Sequence, residues 1–232
     1  MSVSDLNNSP AEPLASAGEG ADETQDPASN RARKILWIVL GVLLVLSVTA
    51  FALWRFRPPE LHGVVLQSSD KATDFTLTAS TGEPMSLSDL EGKHVLLFFG
   101  YTFCPDVCPT TLADMSKMAV TLGDKKMEDV QVVFVSVDPE RDTPERLGQY
   151  LSFFDPRFLG MTGTLDEVIT AGTQFGVFFE RHEGTAATGY LIDHTSTVTL
   201  IGPDGHVRMV FPYGTPGEDI AADVEYMMRR LR

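Results

Sequence analysis

Cysteine is nearly missing: 232 residues hold two, Cys104 and Cys108. A disulfide-stapled scaffold is therefore excluded, because such domains pack several bridges into a short chain. Basic side chains are also scarce. Eighteen Lys and Arg face 32 Asp and Glu, giving a formal charge of −14 and a pI near 4.6. No Lys/Arg cluster outside residues 31–57 offsets this, which sets aside a nucleic-acid phosphate backbone as a partner. No internal repeat divides the chain. The C-x-x-C spacing of thiol-disulfide oxidoreductases is missing, the two cysteines standing one residue further apart. No arginine lies between Arg57 and Arg141, which counts against a peroxidase, where a nearby arginine should support the reacting thiol.

One long apolar run is present: ILWIVLGVLLVLSVTAFALW, residues 35–54, twenty positions without a charge. At 1.5 Å per residue it matches a hydrocarbon core of about 30 Å, so residues 31–57 read as a transmembrane anchor. Arg31, Arg33 and Lys34 precede the run and Arg55 and Arg57 follow it, a three-to-two balance that favours a cytoplasmic N-terminus. A cleaved signal peptide, with Ala50-Phe51-Ala52 as its site, is the alternative, but the run is longer than the usual ~7–15-residue core and starts late. Residues 1–30 hold six acids and no Lys or Arg, with many Ser, Ala, Pro and Gly, the composition of a disordered tail. Mitochondrial transit peptides are Arg-rich and acid-poor, so the expectation is a bacterial cytoplasmic membrane, crossed once, with the C-terminal domain in the periplasm. Residues 58–232 are one domain's worth of chain.

Within that domain, HVLLFFGY (94–101) and VQVVFVSV (130–137) are continuous apolar runs, as strands buried on both faces require. Between them Leu112, Met115, Ala119 and Leu122 fall on one face of a helix over 110–123, closed by Gly123. Strand, helix, strand implies a parallel pair. Thr143-Pro144 predicts a capped helix start, and Thr164-x-x-Glu167 and Thr215-x-x-Glu218 have capping-box spacing. A hairpin is expected over 74–87, turning at Thr81-Gly82. Two strands, over 190–201 and 206–211, flank the turn sequence Gly202-Pro203-Asp204-Gly205. The sum is an α/β, thioredoxin-like mixed sheet with flanking helices, preceded by one transmembrane helix.

The cysteines fall where the first central strand hands over to its helix, the sheet edge at which open α/β folds bind ligands. A helix N-terminus favours thiolate over thiol, so these are reactive or ligating sulfurs. If CPDVC is near-helical, Cβ atoms four apart lie about 5–6 Å from each other, whereas a disulfide wants about 3.8 Å. Two metal–sulfur bonds of about 2.3 Å leave the sulfurs about 4 Å apart, the easier span. A purely structural disulfide fits least, because a five-residue loop removes little unfolded-state entropy.

A third ligand is sought among five histidines. His62, His94 and His206 show no ligand spacing and read as structural or solvated. His182 lies in RHEGTAATG, which reads as a mobile surface loop. His194, beside Asp193 in a strand-like stretch, has no packing reason to be polar and is the candidate. Met115 and Met118 follow on the same helix as the cysteines, and core packing is the simpler reading of Met115 on its apolar face.

GYTFCPDVCPTTL (100–112), FVSVDPERDTPERL (134–147) and YLIDHT (190–195), in that order, resemble the Sco/SenC family of membrane-anchored, thioredoxin-like copper proteins that assist cytochrome c oxidase assembly. The resemblance runs from about residue 73 to the C-terminus. It implies Cu(I) and Cu(II) bound by Cys104, Cys108 and His194, for delivery to the binuclear copper site of the oxidase's copper-bearing subunit, with other copper chaperones or thiol reductants as further partners. It also implies that the Asp138-Pro139 pair belongs to the family pattern, with second-shell support as its conceivable role. At Gly202 a more polar residue is expected from the family. A reductase that keeps the oxidase's cysteines reduced, cycling Cys104 and Cys108 through a redox disulfide, would need the sulfurs but not His194. Should the site be gated, the segment 181–189, with Gly184 and Gly189 as hinges, is the expected gate.

Overall fold

A computed structural model describes residues 27–55, 60–66, 71–185 and 189–231; the expected tail over 1–30 lies mostly outside these. The chain divides into two units, Met1–Pro59 and Glu60–Arg232. The first unit contains α1 (Pro27–Arg55), in which Arg31–Arg55 is long and apolar enough to cross a membrane. Trp37, Leu44, Leu53 and Trp54 on it are all exposed, as lipid-facing side chains would be.

The second unit runs, in chain order, β1 (Val64–Val65), β2 (Thr76–Ala79), β3 (Pro84–Ser86), a 3-10 turn (Leu87–Leu90), β4 (His94–Gly100), α2 (Val107–Leu122), α3 (Asp124–Met127), β5 (Val130–Ser136) and α4 (Pro144–Ser152). It continues with β6 (Leu159–Thr162), α5 (Leu165–Gln174), β7 (Phe179–Glu183), β8 (Tyr190–His194), β9 (Val198–Ile201), β10 (Val207–Phe211) and α6 (Gly217–Arg230). Eight strands form one sheet in the order β1-β10-β9-β4-β5-β6-β2-β3, parallel across β4, β5 and β6 and antiparallel elsewhere. β4 is buried at every residue, which is why its sequence is apolar without alternation. It pairs with β5 in unbroken register from His94↔Val130 to Gly100↔Ser136, so both strands end together at one edge. α2 packs along α6 and α4 against β6. Phe98, Phe134, Leu112, Met115 and Met118 fill the core between sheet and helices, so the two methionines are packing residues.

Local signals held at most element ends. Thr143 Oγ1 accepts the Arg146 N–H at 3.3 Å with Pro144 at the first helical position, and Thr164 and Glu167 form a reciprocal box. The second expected box does not form: Thr215 Oγ1 donates instead to the Pro212 carbonyl at 2.8 Å, and α6 starts after Pro216. Gly202 is also explained differently from expectation. A Cβ there would lie 2.9 Å from Asp204 Oδ1 and 3.0 Å from Arg208 Nε, so a polar side chain has no room.

The largest correction concerns 190–201, expected as one strand. It is two: β8 pairs only with β7, in a separate two-stranded sheet, while β9 joins the main sheet. The break falls at 195–197, where the chain leaves β7 for the main sheet and the β7–β8 hydrogen bonding runs one residue beyond His194. Thr195 N–H donates to the Phe178 carbonyl at 3.0 Å, and Ser196 Oγ donates to the His194 carbonyl at 3.1 Å. Correspondingly, 181–183 is strand rather than loop, paired through Arg181↔Ile192 and His182↔Leu191, and Gly184 N–H donates to the Gly189 carbonyl at 2.9 Å. A gate that hinges at Gly184 and Gly189 would have to break this hydrogen bond, and residues 186–188 of the expected gate lie outside the described residues.

Candidate metal centre

β4 and β5 end side by side, and the chain leaves β4 through Tyr101 to Asp106 before entering α2. Cys104 lies in this connection, half-buried; Cys108 is the second residue of α2 and fully buried. Asp142, itself fully buried, fixes the connection: its carboxylate accepts from Thr102 N–H at 2.9 Å, Thr102 Oγ1 at 2.6 Å and Ser136 Oγ at 2.7 Å. Three hydrogen bonds hold this carboxylate although burial raises its pKa. Gly100 makes the room. A Cβ at that position would stand 2.8 Å from Cys108 Sγ and 2.8 Å from the Phe134 ring.

His194 ends β8 and brings its Nε2 to 3.3 Å from Cys108 Sγ. The two sulfurs and this nitrogen lie within 4.8 Å of one another. On the far side of the ring Nδ1 is 3.1 Å from the Thr195 carbonyl, and Nε2 is turned toward the sulfurs. Edge-on contacts with Phe98 and Tyr101, centroids 6.1 and 6.0 Å away, hold the ring plane.

Neither cysteine is in a disulfide, and the two sulfurs shift each other's ionisation. The Cys108 thiol donates to Cys104 and, with help from His194 and the N–H groups of Cys108 and Asp106, brings the Cys104 pKa down to about 4 against the opposing effect of burial. Cys108 is pushed far up by the same hydrogen bond and by its burial. The metal-free pair is thus one thiolate and one thiol at neutral pH. A thiol with lowered pKa is the faster nucleophile while pH stays above that value. At pH 6, iodoacetamide is expected to alkylate Cys104 many-fold faster than Cys108, with the rate falling only as pH approaches about 4. Peptide mapping of the labelled chain measures this; equal labelling of both sulfurs would overturn the assignment.

The structure brings Cys104, Cys108 and His194 together and leaves the other histidines apart. His182 Nε2 pairs with Asp193 Oδ2 at 3.2 Å on the exposed side of the hairpin, His62 pairs with Asp223, and His94 opens β4. Asp138 accepts from the Tyr190 hydroxyl at 2.6 Å and from Arg141 Nε, tying the end of β5 to β8. Gly100, Tyr101 and Asp142 escaped sequence reasoning. Two soft sulfurs and an imidazole, from two different segments and with an outer ring of hydrogen bonds, make a donor set for a soft or borderline metal ion.

A thioredoxin-like domain with a Cys-Cys-His cluster at the C-terminal edge of its central strands defines the class. The chain belongs to the SCO1/SenC family, whose profile matches residues 65–229. It is 36% identical to the human mitochondrial protein SCO1 homolog over 159 residues, covering 68% of this chain and 53% of the relative, so it spans about half that protein's length. Among solved structures it is similar to Bradyrhizobium japonicum ScoI with copper bound, at 37% identity and a TM-score of 0.62, covering 68% of this chain and 99% of that one. It is also similar to BsSco, described as a member of the Sco family of cytochrome c oxidase assembly proteins with a disulfide switch. That match has 27% identity and a TM-score of 0.52, covering 69% of this chain and 95% of that one.

Proposed function

We propose that this chain is a copper metallochaperone that binds Cu(I) and Cu(II) through Cys104, Cys108 and His194 and serves the binuclear copper site of cytochrome c oxidase. The convergence of two sulfurs and one imidazole nitrogen within 4.8 Å carries the reading. Two thiolates select Cu(I), and the imidazole makes the same site acceptable to Cu(II). The half-buried Cys104 gives an acceptor's ligand a point of attack, while the buried Cys108 retains the ion until exchange is under way. α1 holds the chain in a bacterial cytoplasmic membrane, and the domain over 58–232 faces the periplasm, next to the oxidase subunit it loads. Copper bound by the Bradyrhizobium relative, and the oxidase assembly role in the description of BsSco, support this reading.

The second reading, a thiol-disulfide reductase acting on the oxidase's cysteines, draws on the Cys104 thiolate beside the Cys108 thiol. His194→Ala separates the two. The metallochaperone loses copper affinity by more than about 100-fold, beyond what loss of an outer-shell partner costs, and the variant fails to load oxidase in cells. A variant that still supports oxidase while its sulfurs cycle as a disulfide would establish the reductase. Competition of the reduced fragment Glu60–Arg232 against a copper chelator, with oxidase copper content in cells, measures both.

A further inference from the structure

Among the described residues, His194 sits on β8, whose only ladder partner is β7, and this two-stranded sheet shares no ladder with the main one. The backbone brings His194 near the cysteines only from its C-terminal side, where Val198 of β9 pairs with Phe98 of β4. Side chains hold the rest of the hairpin in place. In β8 the alternate residues Tyr190, Ile192 and His194 share one face. Each meets the body of the domain: Tyr190 meets Arg141, Ile192 N–H donates to Tyr101 Oη at 3.2 Å, and His194 meets Cys108.

We infer that Arg141 is the positioning residue that holds His194 against Cys104 and Cys108. It comes from the DPERD turn after β5, a motif the metal site itself leaves unexplained. Its Nε donates to Asp138, and its Nη1 donates to the Tyr190 carbonyl at 3.2 Å. Its guanidinium carbon lies 3.6 Å from the Tyr190 ring centre, 4.6 Å from that of Phe103 and 5.8 Å from that of Tyr101. One cation thus touches the first residue of the histidine strand, the cysteine connection and the residue whose ring packs on His194. Asp138 completes the clasp by accepting from the Tyr190 hydroxyl at 2.6 Å. The exposed Arg181 also stacks on Tyr190, at 3.5 Å, but it lies on β7 and travels with the hairpin.

Stability alone is a poor reason for this arrangement. Arg141 is 18% exposed and its Nη2 is buried with no hydrogen-bond partner, a cost that an apolar residue would not incur. A planar fork can donate in its plane to a carboxylate and a carbonyl while its π face stacks on rings; an ammonium cannot.

The test uses the full chain in detergent, as wild type, Arg141→Ala, Arg141→Lys and Tyr190→Leu, with Leu122→Ala as a control that loosens the core at the far end of α2. The first readout needs no copper: the His194 ring nitrogens in the reduced apo chain, followed by NMR. Arg141→Ala and Tyr190→Leu are expected to shift or double the Nε2 signal, Arg141→Lys to leave that defect in place, and Leu122→Ala to leave the signal as in wild type. The second readout rests on the copper reading. Cu(II) affinity falls about 10–100-fold in Arg141→Ala with loss of the nitrogen coupling in its EPR spectrum, while Cu(I), held by the sulfurs, changes less than Cu(II). An unchanged His194 signal in both Arg141→Ala and Tyr190→Leu overturns the inference. Full rescue by lysine overturns it as well, since charge alone would then suffice. If wild type binds no copper, the proposed function fails while the NMR arm still decides the role of Arg141.

Discussion

Cys108→Ser is expected to weaken copper binding by more than about 100-fold. Cys108 Sγ is the fully buried corner of the site, 3.3 Å from His194 Nε2 and in hydrogen-bond contact with Cys104. A serine oxygen there is a hard donor that holds its proton, so the loss exceeds the ~10–100-fold cost of removing an outer-shell partner. The proton balance follows from the two shifted sulfurs. Cys104 is already a thiolate above about pH 4, whereas Cys108 keeps its proton until a metal displaces it. Copper binding to wild type should therefore release at least the Cys108 proton over the neutral range, and affinity should rise by at least about tenfold per pH unit between about 5 and 8. Lowering the pH weakens binding; raising it strengthens binding. Chelator competition at several pH values gives the slope, and a flat profile in wild type would mean that both sulfurs are ionised beforehand.

Gly100→Ala is expected to lower stability by about 1–3 kcal/mol, the ordinary cost of overfilling a packed interior, and to weaken copper about 10–100-fold by moving a ligand. The methyl group would stand 2.8 Å from both Cys108 Sγ and the Phe134 ring, in a buried strand with no slack. Either the sulfur or the ring must shift. Gly148→Ala is the contrast, since a Cβ there meets only Ser80 at an ordinary 3.7 Å, and a helical alanine in place of glycine is favourable. Chemical denaturation of the Glu60–Arg232 fragment beside copper competition separates the two effects. A Gly100→Ala protein with wild-type affinity would show that the sulfur has room that the geometry denies it.

The metal-site candidates were legible because each is marked by local chemistry: two cysteines before a helix, and a polar pair in a run of strand formers. The buried strands β4 and β5 were legible for the same reason, being long apolar runs. β6 was not, since Leu159–Thr162 is four residues with a glycine inside and no alternation. The split between β8 and β9 was not, because the run 190–201 carries no glycine or proline to mark a break, and the change of partner from β7 to β4 is a tertiary fact. Gly100, Asp142 and Arg141 act partly through neighbours 34 to 49 positions away in sequence, and no spacing rule carries that information.

The hairpin that carries His194 is joined to the rest of the domain by side chains and not by a shared ladder. Movement of this hairpin as a unit would withdraw the His194 nitrogen while every strand of the eight-stranded sheet stayed in place. If the site carries copper as proposed, handover would be a stepwise exchange at a rigid sulfur pair with a detachable third arm, and that arm would control release of the oxidation state that most needs nitrogen.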